Sequence, residues 1–246
     1  MTSKIPGFSR RLFLGMSSAL MAASIIPKKA QAFDSKQMAG ATVSLIADAL
    51  RKLGENPKDH AMDTTIKPLF PAGRTIIGTA VTMEWQAGKG RGSADDIKEF
   101  VFRPLDNASP GSIWVIASGT DKILSMFGDL IGQACKRNGM LGAVTDSGCR
   151  DIEAMKAYDF PVFAKASVPY GPGGVIRPVA ANGPVVCGGV KIDQDDLIAA
   201  DIDGVIVVPK ALLPKLNEVI ASLLEKENKV RARVDAGESL EKSYDL

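Results

Sequence analysis

Two short segments carry the side chains best placed by type and spacing to do chemistry. In Gly128-Asp129-Leu130-Ile131 a glycine and an acid stand where an amphipathic stretch begins. The first amide N–H groups of a helix lack internal acceptors and form a ready seat for a carboxylate or phosphate. The same residues also suit a plainer role, with Asp129 capping its own helix. In Asp146-Ser147-Gly148-Cys149-Arg150-Asp151 an apolar strand ends in a turn of small residues, and an Arg-Asp pair stands at the mouth of the next helix. Sites in α/β layers collect at strand ends of this kind. Here too a plainer reading is available, a capped helix with a local ion pair.

Composition removes several other chemistries. A single histidine, His60, excludes a multi-histidine metal site within one chain. Cys135, Cys149 and Cys187 have no CxxC spacing, so they signal neither a zinc site nor a disulfide framework. The net charge of +2 is carried by the N-terminus: residues 1–32 hold Lys4, Arg10, Arg11, Lys28 and Lys29 and no acid, which leaves −3 on the rest. A mildly acidic body argues against non-specific nucleic-acid binding, which depends on neutralising phosphates.

The elements that must position these residues can be read from periodicity. Residues 41–53 form an amphipathic helix, with Val43, Ile46, Ala47 and Leu50 on one face and Gly54 closing it. Residues 68–71 read as a loop and 74–83 as a strand. A glycine-rich loop spans 88–92, and a short helix spans 95–102. Strands are expected at 113–117, 141–144 and 161–165, with helices at 128–137 and 150–158 between them. Residues 175–208 are strand-rich, and Pro209 opens a terminal helix with Leu213, Leu216, Ile220 and Leu223 on one face. The charge run 225–231 reads as a solvated helix face. Alternating helices and strands followed by clustered strands imply a layered α/β domain with one core.

Residues 1–32 read as an address rather than as fold. Ser9-Arg10-Arg11-Leu12-Phe13-Leu14 resembles the twin-arginine export motif, and an uncharged stretch over 12–26 follows. Lys28 and Lys29 then precede Ala30-Gln31-Ala32, an A-x-A cleavage site. The expectation is a folded protein delivered to the periplasm, with no stable membrane anchor after processing and a mature domain over 33–246. Three cysteines cannot all pair in an oxidising compartment, so free, mostly buried thiols are expected.

Twenty residues separate Asp129 from Arg150-Asp151. That pattern resembles the signature of the RraA-like and 4-hydroxy-4-methyl-2-oxoglutarate aldolase family. Residues 42–50, 78–82, 201–209 and 231–240 resemble the family's first helix, first core strand, late strand and tail, so the likeness covers roughly 40–245. It implies a layered α/β/β domain similar to phosphohistidine swivelling domains, assembled as a homotrimer or hexamer with sites between subunits. By position, Asp151 would ligate Mg²⁺ or Mn²⁺, and Arg150 would grip a small 2-oxo acid substrate. The amides around Gly128, Leu130 and Ile131 would bind its carboxylate, and Asp129 would hold a proton-shuttling water. Glu227 is the candidate for a glutamate the family borrows from a neighbouring subunit. Lys165 either lines the pocket or is structural, since no Schiff base is needed.

The chain departs from the family in three places. Pro172-Gly173-Gly174 stands where a basic residue is usual, with Arg177 as a possible substitute. Residues 87–92 replace a Gly-Asp-Asn loop, and Gln194-Asp195-Asp196 replaces a Pro-Gly-Asp turn. The resemblance implies a metal-dependent lyase that cleaves a 4-hydroxy-2-oxo acid or diacid to pyruvate by retro-aldol reaction and also decarboxylates oxaloacetate. The alternatives are a non-catalytic binding protein like the founding RraA proteins, which inhibit ribonuclease E, or an exported 2-oxo-acid lyase or hydratase of other specificity.

Overall fold

The computed structural model describes residues 38–88 and 92–245. The export segment and the tip of the glycine-rich loop (Lys89, Gly90, Arg91) lie outside the described residues. Helix α1 (Val43–Lys52) starts where the Thr42 hydroxyl accepts from the Leu45 amide at 3.1 Å, and it stops at Gly54, whose φ of +87° suits glycine. A two-residue strand β1 (Lys67–Pro68) occupies part of the expected loop. The long strand β2 (Ile76–Ala87) runs four residues further than its apolar pattern suggested, because Trp85 is still buried and β8 pairs along the extension.

The helix expected over 95–102 is instead a composite. α2 (Ala94–Ile97) passes through a π-helical turn, Lys98–Phe102, into α3 (Arg103–Asp106). Pro104 has no N–H to donate to the carbonyl four residues back, and its ring crowds that carbonyl. The wider turn, in which the Arg103 N–H reaches Lys98 O, accommodates it. Then follow β3 (Ser112–Ala117), α4 (Asp129–Arg137), β4 (Gly142–Thr145), β5 (Gly148–Cys149), α5 (Ile152–Ala157), β6 (Val162–Ala164) and β7 (Ala166–Ser167). The strand-rich region comprises β8 (Ile176–Ala181), β9 (Val185–Cys187), β10 (Val190–Ile192), β11 (Leu197–Asp201) and β12 (Gly204–Val208). Helices α6 (Leu213–Asp235) and α7 (Leu240–Tyr244) complete the chain.

The main sheet runs β1-β6-β4-β3-β2-β11-β12, with β8 also paired to β2. It is parallel through β2, β3, β4 and β6 and antiparallel elsewhere. Its two ends approach each other: the Lys67 ammonium on β1 donates to the Asp203 carbonyl beside β12 at 2.8 Å. The result is a mixed α/β fold around a nearly closed, barrel-like sheet. Period-two alternation sorts the core. Ile113 and Val115, with Val144, Phe163, Ile198 and Val207, fill the inside, plugged by the β9–β10 hairpin. The intervening residues Trp114, Ile116, Ala143 and Val162 face outward beneath α4, α5 and the π turn. On the far side Leu197, Ala199, Ile206 and Val208 lie under α1 and α6. Burial of a large apolar side chain contributes about 1.5–3 kcal/mol, so these three clusters hold the frame on which the site is built.

All three cysteines are free and buried, as expected. Burial pushes the thiols of Cys135 and Cys149 up to about 12, so both remain protonated. Within 225–231 the pairs Glu225–Lys229 and Glu227–Arg231 lie on the surface of α6, the solvated face expected there. Among the described residues no helix is long and apolar enough to cross a membrane.

Candidate active site

The parallel strands end on one side of the sheet, and there the chain brings Gly128-Asp129 and Arg150-Asp151 together. The segment preceding α4 is pinned to the β5 strand. Met126 N–H donates to Gly148 O and Gly148 N–H to Leu124 O, both at 2.9 Å. The Ser147 hydroxyl accepts from Leu124 N–H at 2.9 Å, and the Ser125 hydroxyl donates to Phe127 O at 2.8 Å. Arg150 N–H then reaches Phe127 O at 3.3 Å. Asp129 and Asp151, 22 positions apart in sequence, thus become neighbours, because a short bridge delivers one to the start of α4 and the other to the start of α5.

Asp151 adopts a left-handed backbone, φ 61° and ψ 37°. This costs an ordinary L residue roughly 1–2 kcal/mol, less for Asp, which tolerates it better than most. The turn sends its carboxylate back across the chain: Oδ2 lies 3.3 Å from Asp129 N and 3.4 Å from Arg150 Nε. Gly128 makes this approach possible, since a Cβ there would stand 2.3 Å from Asp151 Oδ2 and 3.0 Å from Arg150 Nε. The side chains of Arg150 and Asp151 are 50% and 42% exposed, so their ion pair contributes at most about 1 kcal/mol to stability. Stability alone therefore does not account for a positive-φ residue and a glycine gap at this spot.

Asp129 is the first residue of α4 and not its cap, a position held by Gly128 with no side-chain capping bond; Asp129 Oδ1 accepts from Leu130 N–H at 2.8 Å. Leu130 itself is 76% exposed at the mouth of the site. Tyr158, at the end of α5, donates its hydroxyl to Asp129 O at 3.0 Å and ties the end of α5 to the start of α4. Burial first, and the Asp129 carboxylate second, push this phenol up to about 12, which keeps it a donor. Sequence reasoning missed Tyr158. The available signal was Gly132 inside α4, where a Cβ would stand 2.7 Å from the Tyr158 hydroxyl.

Gly128, Asp129, Leu130, Ile131 and Arg150 line a cavity of about 330 Å³. Its other wall comes from β2 and the π turn, and Ser125, Gly171 and Pro172 close its edge. Asp151 does not line it directly, its carboxylate instead contacting the lining residues Arg150 and Asp129. Three further candidates also stand apart from that lining. Glu227 lies on α6, 3.8 Å from Arg231. Lys165 follows β6, its N–H bonded to Ser147 O, and its ammonium acts on Asp63 and Cys187. Arg177 on β8 stands opposite Gln86 and beside Gly88. In the substituted turn, the Asp196 carboxylate accepts from the amides of Asp193 and Lys210, so the turn is held without a Pro-Gly-Asp sequence.

No cluster of three or more His, Cys, Asp or Glu side chains suited to a metal occurs among the described residues. Asp151 offers one half-exposed carboxylate, 3.4 Å from Nε of the cavity-lining Arg150. That donor set fits Mg²⁺ or Mn²⁺, which is commonly held by one or two carboxylates with waters and substrate oxygens filling the shell.

A mixed α/β domain with a cleft where two helix starts meet at strand ends is a frame for binding a small anion. Comparison with known proteins makes the class particular: the chain belongs to the RraA-like family, whose Aldolase/RraA model matches residues 43–207. It is 36% identical over 154 residues to a Halalkalibacterium halodurans protein provisionally named 4-hydroxy-4-methyl-2-oxoglutarate aldolase, a match covering 61% of this chain and 66% of that one. It is also 36% identical over 176 residues to an uncharacterized protein of Methanocaldococcus jannaschii, covering 71% and 80% of the two chains. Among solved structures, Streptomyces coelicolor RraAS2, described as an unusual member of the RNase ES inhibitor RraA family, superposes with a TM-score of 0.67 at 23% identity, over 80% of this chain and 95% of that one.

Proposed function

We propose that the protein is a divalent-metal-dependent lyase that cleaves a 4-hydroxy-2-oxo acid to pyruvate, and that it decarboxylates oxaloacetate at the same site. The observation that carries this reading is the meeting of Arg150 and the start of α4 at one cavity, with the Asp151 carboxylate 3.4 Å from Arg150 Nε and 3.3 Å from Asp129 N, in a chain whose family includes relatives named as such aldolases. Asp151 would hold the metal, and a bound Mg²⁺ or Mn²⁺ would supply a Lewis acid for the keto oxygen. Arg150 would clamp the substrate carboxylate and add fixed positive charge beside the oxygen that becomes negative. In the retro-aldol step the C4 hydroxyl loses its proton, the C3–C4 bond breaks, and its electron pair enters the pyruvate enolate. Asp129 would hold the water that moves a proton to C3. A substrate carboxylate reaching the amides of α4 would replace the Asp129 oxygen now bound to Leu130 N–H. Assembly as a trimer or hexamer and delivery to the periplasm belong to the same proposal.

The test is pyruvate release from a panel of 4-hydroxy-2-oxo acids, with and without Mg²⁺, for the parent, Asp151→Ala and Arg150→Lys. The expected result is a loss of about 10²–10³ in rate for each variant, with melting temperature little changed. Full activity in Asp151→Ala would remove the metal-lyase reading. A second reading, a binding protein without catalysis, is disfavoured by a positive-φ Asp151 whose ion pair adds little to stability.

A further inference from the structure

Arg150 reaches the cavity with an acid already beside it. Its Nε lies 3.4 Å from Asp151 Oδ2, and among the described residues Asp151 is the only acid that pairs with it. The backbone prepares the place of that oxygen. Asp151 takes a left-handed conformation, Oδ2 comes within 3.3 Å of Asp129 N, and the slot it enters exists because Gly128 has no Cβ. Arg150 lines the cavity and Asp151 does not, so the carboxylate acts on an occupant through Arg150 and through its charge. Both side chains are about half-exposed. An anion that approaches Arg150 therefore meets a guanidinium whose charge is partly offset, with a carboxylate of the anion's own sign close behind it. At such range and exposure the repulsion is of the same order as the attraction that an exposed ion pair supplies.

We infer that Asp151 makes anion binding at Arg150 conditional on the metal. Without a cation, its carboxylate competes with a 2-oxo acid for the guanidinium. With Mg²⁺ or Mn²⁺ on Asp151 the local charge changes sign and the competition ends, because a bound divalent ion is the largest charge in such a site. The site therefore fills in order, metal first and 2-oxo acid second. The inference rests on the proposed metal-lyase reading and adds to it the order of assembly. Its consequence is that Arg150 is kept clear of 2-oxo acids that would be held but not cleaved. If Asp151 were a metal ligand and nothing more, its removal would leave anion binding in metal-free buffer as it was.

The deciding measurement is made without metal and without turnover. Pyruvate is titrated in metal-free buffer against the parent and Asp151→Gly, followed by tryptophan fluorescence, since Trp85 lines the cavity. Glycine suits the φ of 61° at this position, so the variant should fold normally by melting temperature. Asp151→Asn, which also tolerates that conformation, takes its place if the glycine variant does not fold. The expected result is about fivefold tighter pyruvate binding by the variant. The gain should vanish when Arg150→Gln is combined with it, because the effects of residues in contact do not add. Mg²⁺ should tighten pyruvate binding by the parent and not by Asp151→Gly. Equal or weaker binding by the variant in metal-free buffer, or a gain that persists beside Arg150→Gln, would overturn this inference while leaving the lyase proposal to its own test of turnover in Mg²⁺. Failure of every form to bind pyruvate, with or without Mg²⁺, together with no pyruvate release from any 4-hydroxy-2-oxo acid, would overturn both.

Discussion

Gly128→Ala adds one methyl group at the narrowest point of the site. The backbone at Gly128, φ −136° and ψ −167°, is extended and open to alanine, so no conformational strain is introduced. The added Cβ, however, would lie 2.3 Å from Asp151 Oδ2 and 3.0 Å from Arg150 Nε. Relief to an ordinary contact of about 3.5 Å requires the carboxylate to move by about 1 Å. Both atoms belong to flexible, half-exposed side chains, so they can move without disturbing the strands behind them. The stability loss then has two parts, the long Asp129 N–H to Asp151 contact and the replacement of glycine by alanine at a helix cap. Together they come to about 1–1.5 kcal/mol, or a fall of about 2–6 °C in melting temperature. The site suffers far more, because a displacement of about 1 Å typically costs about 10²-fold in rate. Thermal melts by circular dichroism and pyruvate release coupled to NADH oxidation, run on one preparation, read both quantities. Turnover within about threefold of the parent, far short of that loss, would show that the Asp151 carboxylate need not stand where the structure holds it.

Three further outcomes are expected. Tyr158→Phe removes the donor to Asp129 O and should cost about 0.5–1.5 kcal/mol in denaturant unfolding; a larger fall in kcat than in stability would show that the bond also positions the start of α4. Arg74 forms two hydrogen bonds to Asp159 and holds that carboxyl below its usual 3.8, an effect that adds stability above the unfolded carboxyl's range and is lost as pH falls through the lowered value. Arg74→Ala should therefore lower stability at pH 7 by no more than about 1 kcal/mol, since the pair is exposed, and the difference from the parent should vanish in acid melts below the carboxylate range; a difference that persists there would refute this origin. Finally, replacing Arg10 and Arg11 together by lysine should leave the precursor in the cytoplasm on cell fractionation, and unchanged periplasmic yield would contradict export by the twin-arginine route.

Local chemistry made much of the frame legible without coordinates. Thr42 and Gly54 bracket α1 because a hydroxyl cap and a positive-φ glycine act within a few residues of themselves. The continuous apolar runs of β3 and β12 likewise report strands buried on both faces, and the apolar stripe of α6 reports burial through a period of 3.6. The pairing of Asp129 with Arg150-Asp151 was legible only as a spacing with a family likeness. What makes them neighbours is the bridge of Ser125 to Gly148 and the hydrogen bonds of Ser147, which join segments about 22 residues apart. The π turn was misread as an ordinary short helix, because the accommodation of Pro104 depends on which carbonyls remain in reach once the chain is folded. The apolar lining of the cavity was not visible at all. Nothing in the sequence singles out Trp85, Val101 or Phe127, and only the crossing of β2, the π turn and the start of α4 turns their surfaces toward a shared space beside Arg150. Hydrophobic patterning tells a residue which side to face. Whether the side it faces is filled or left open is decided by elements far away in the chain, and so by the tertiary structure.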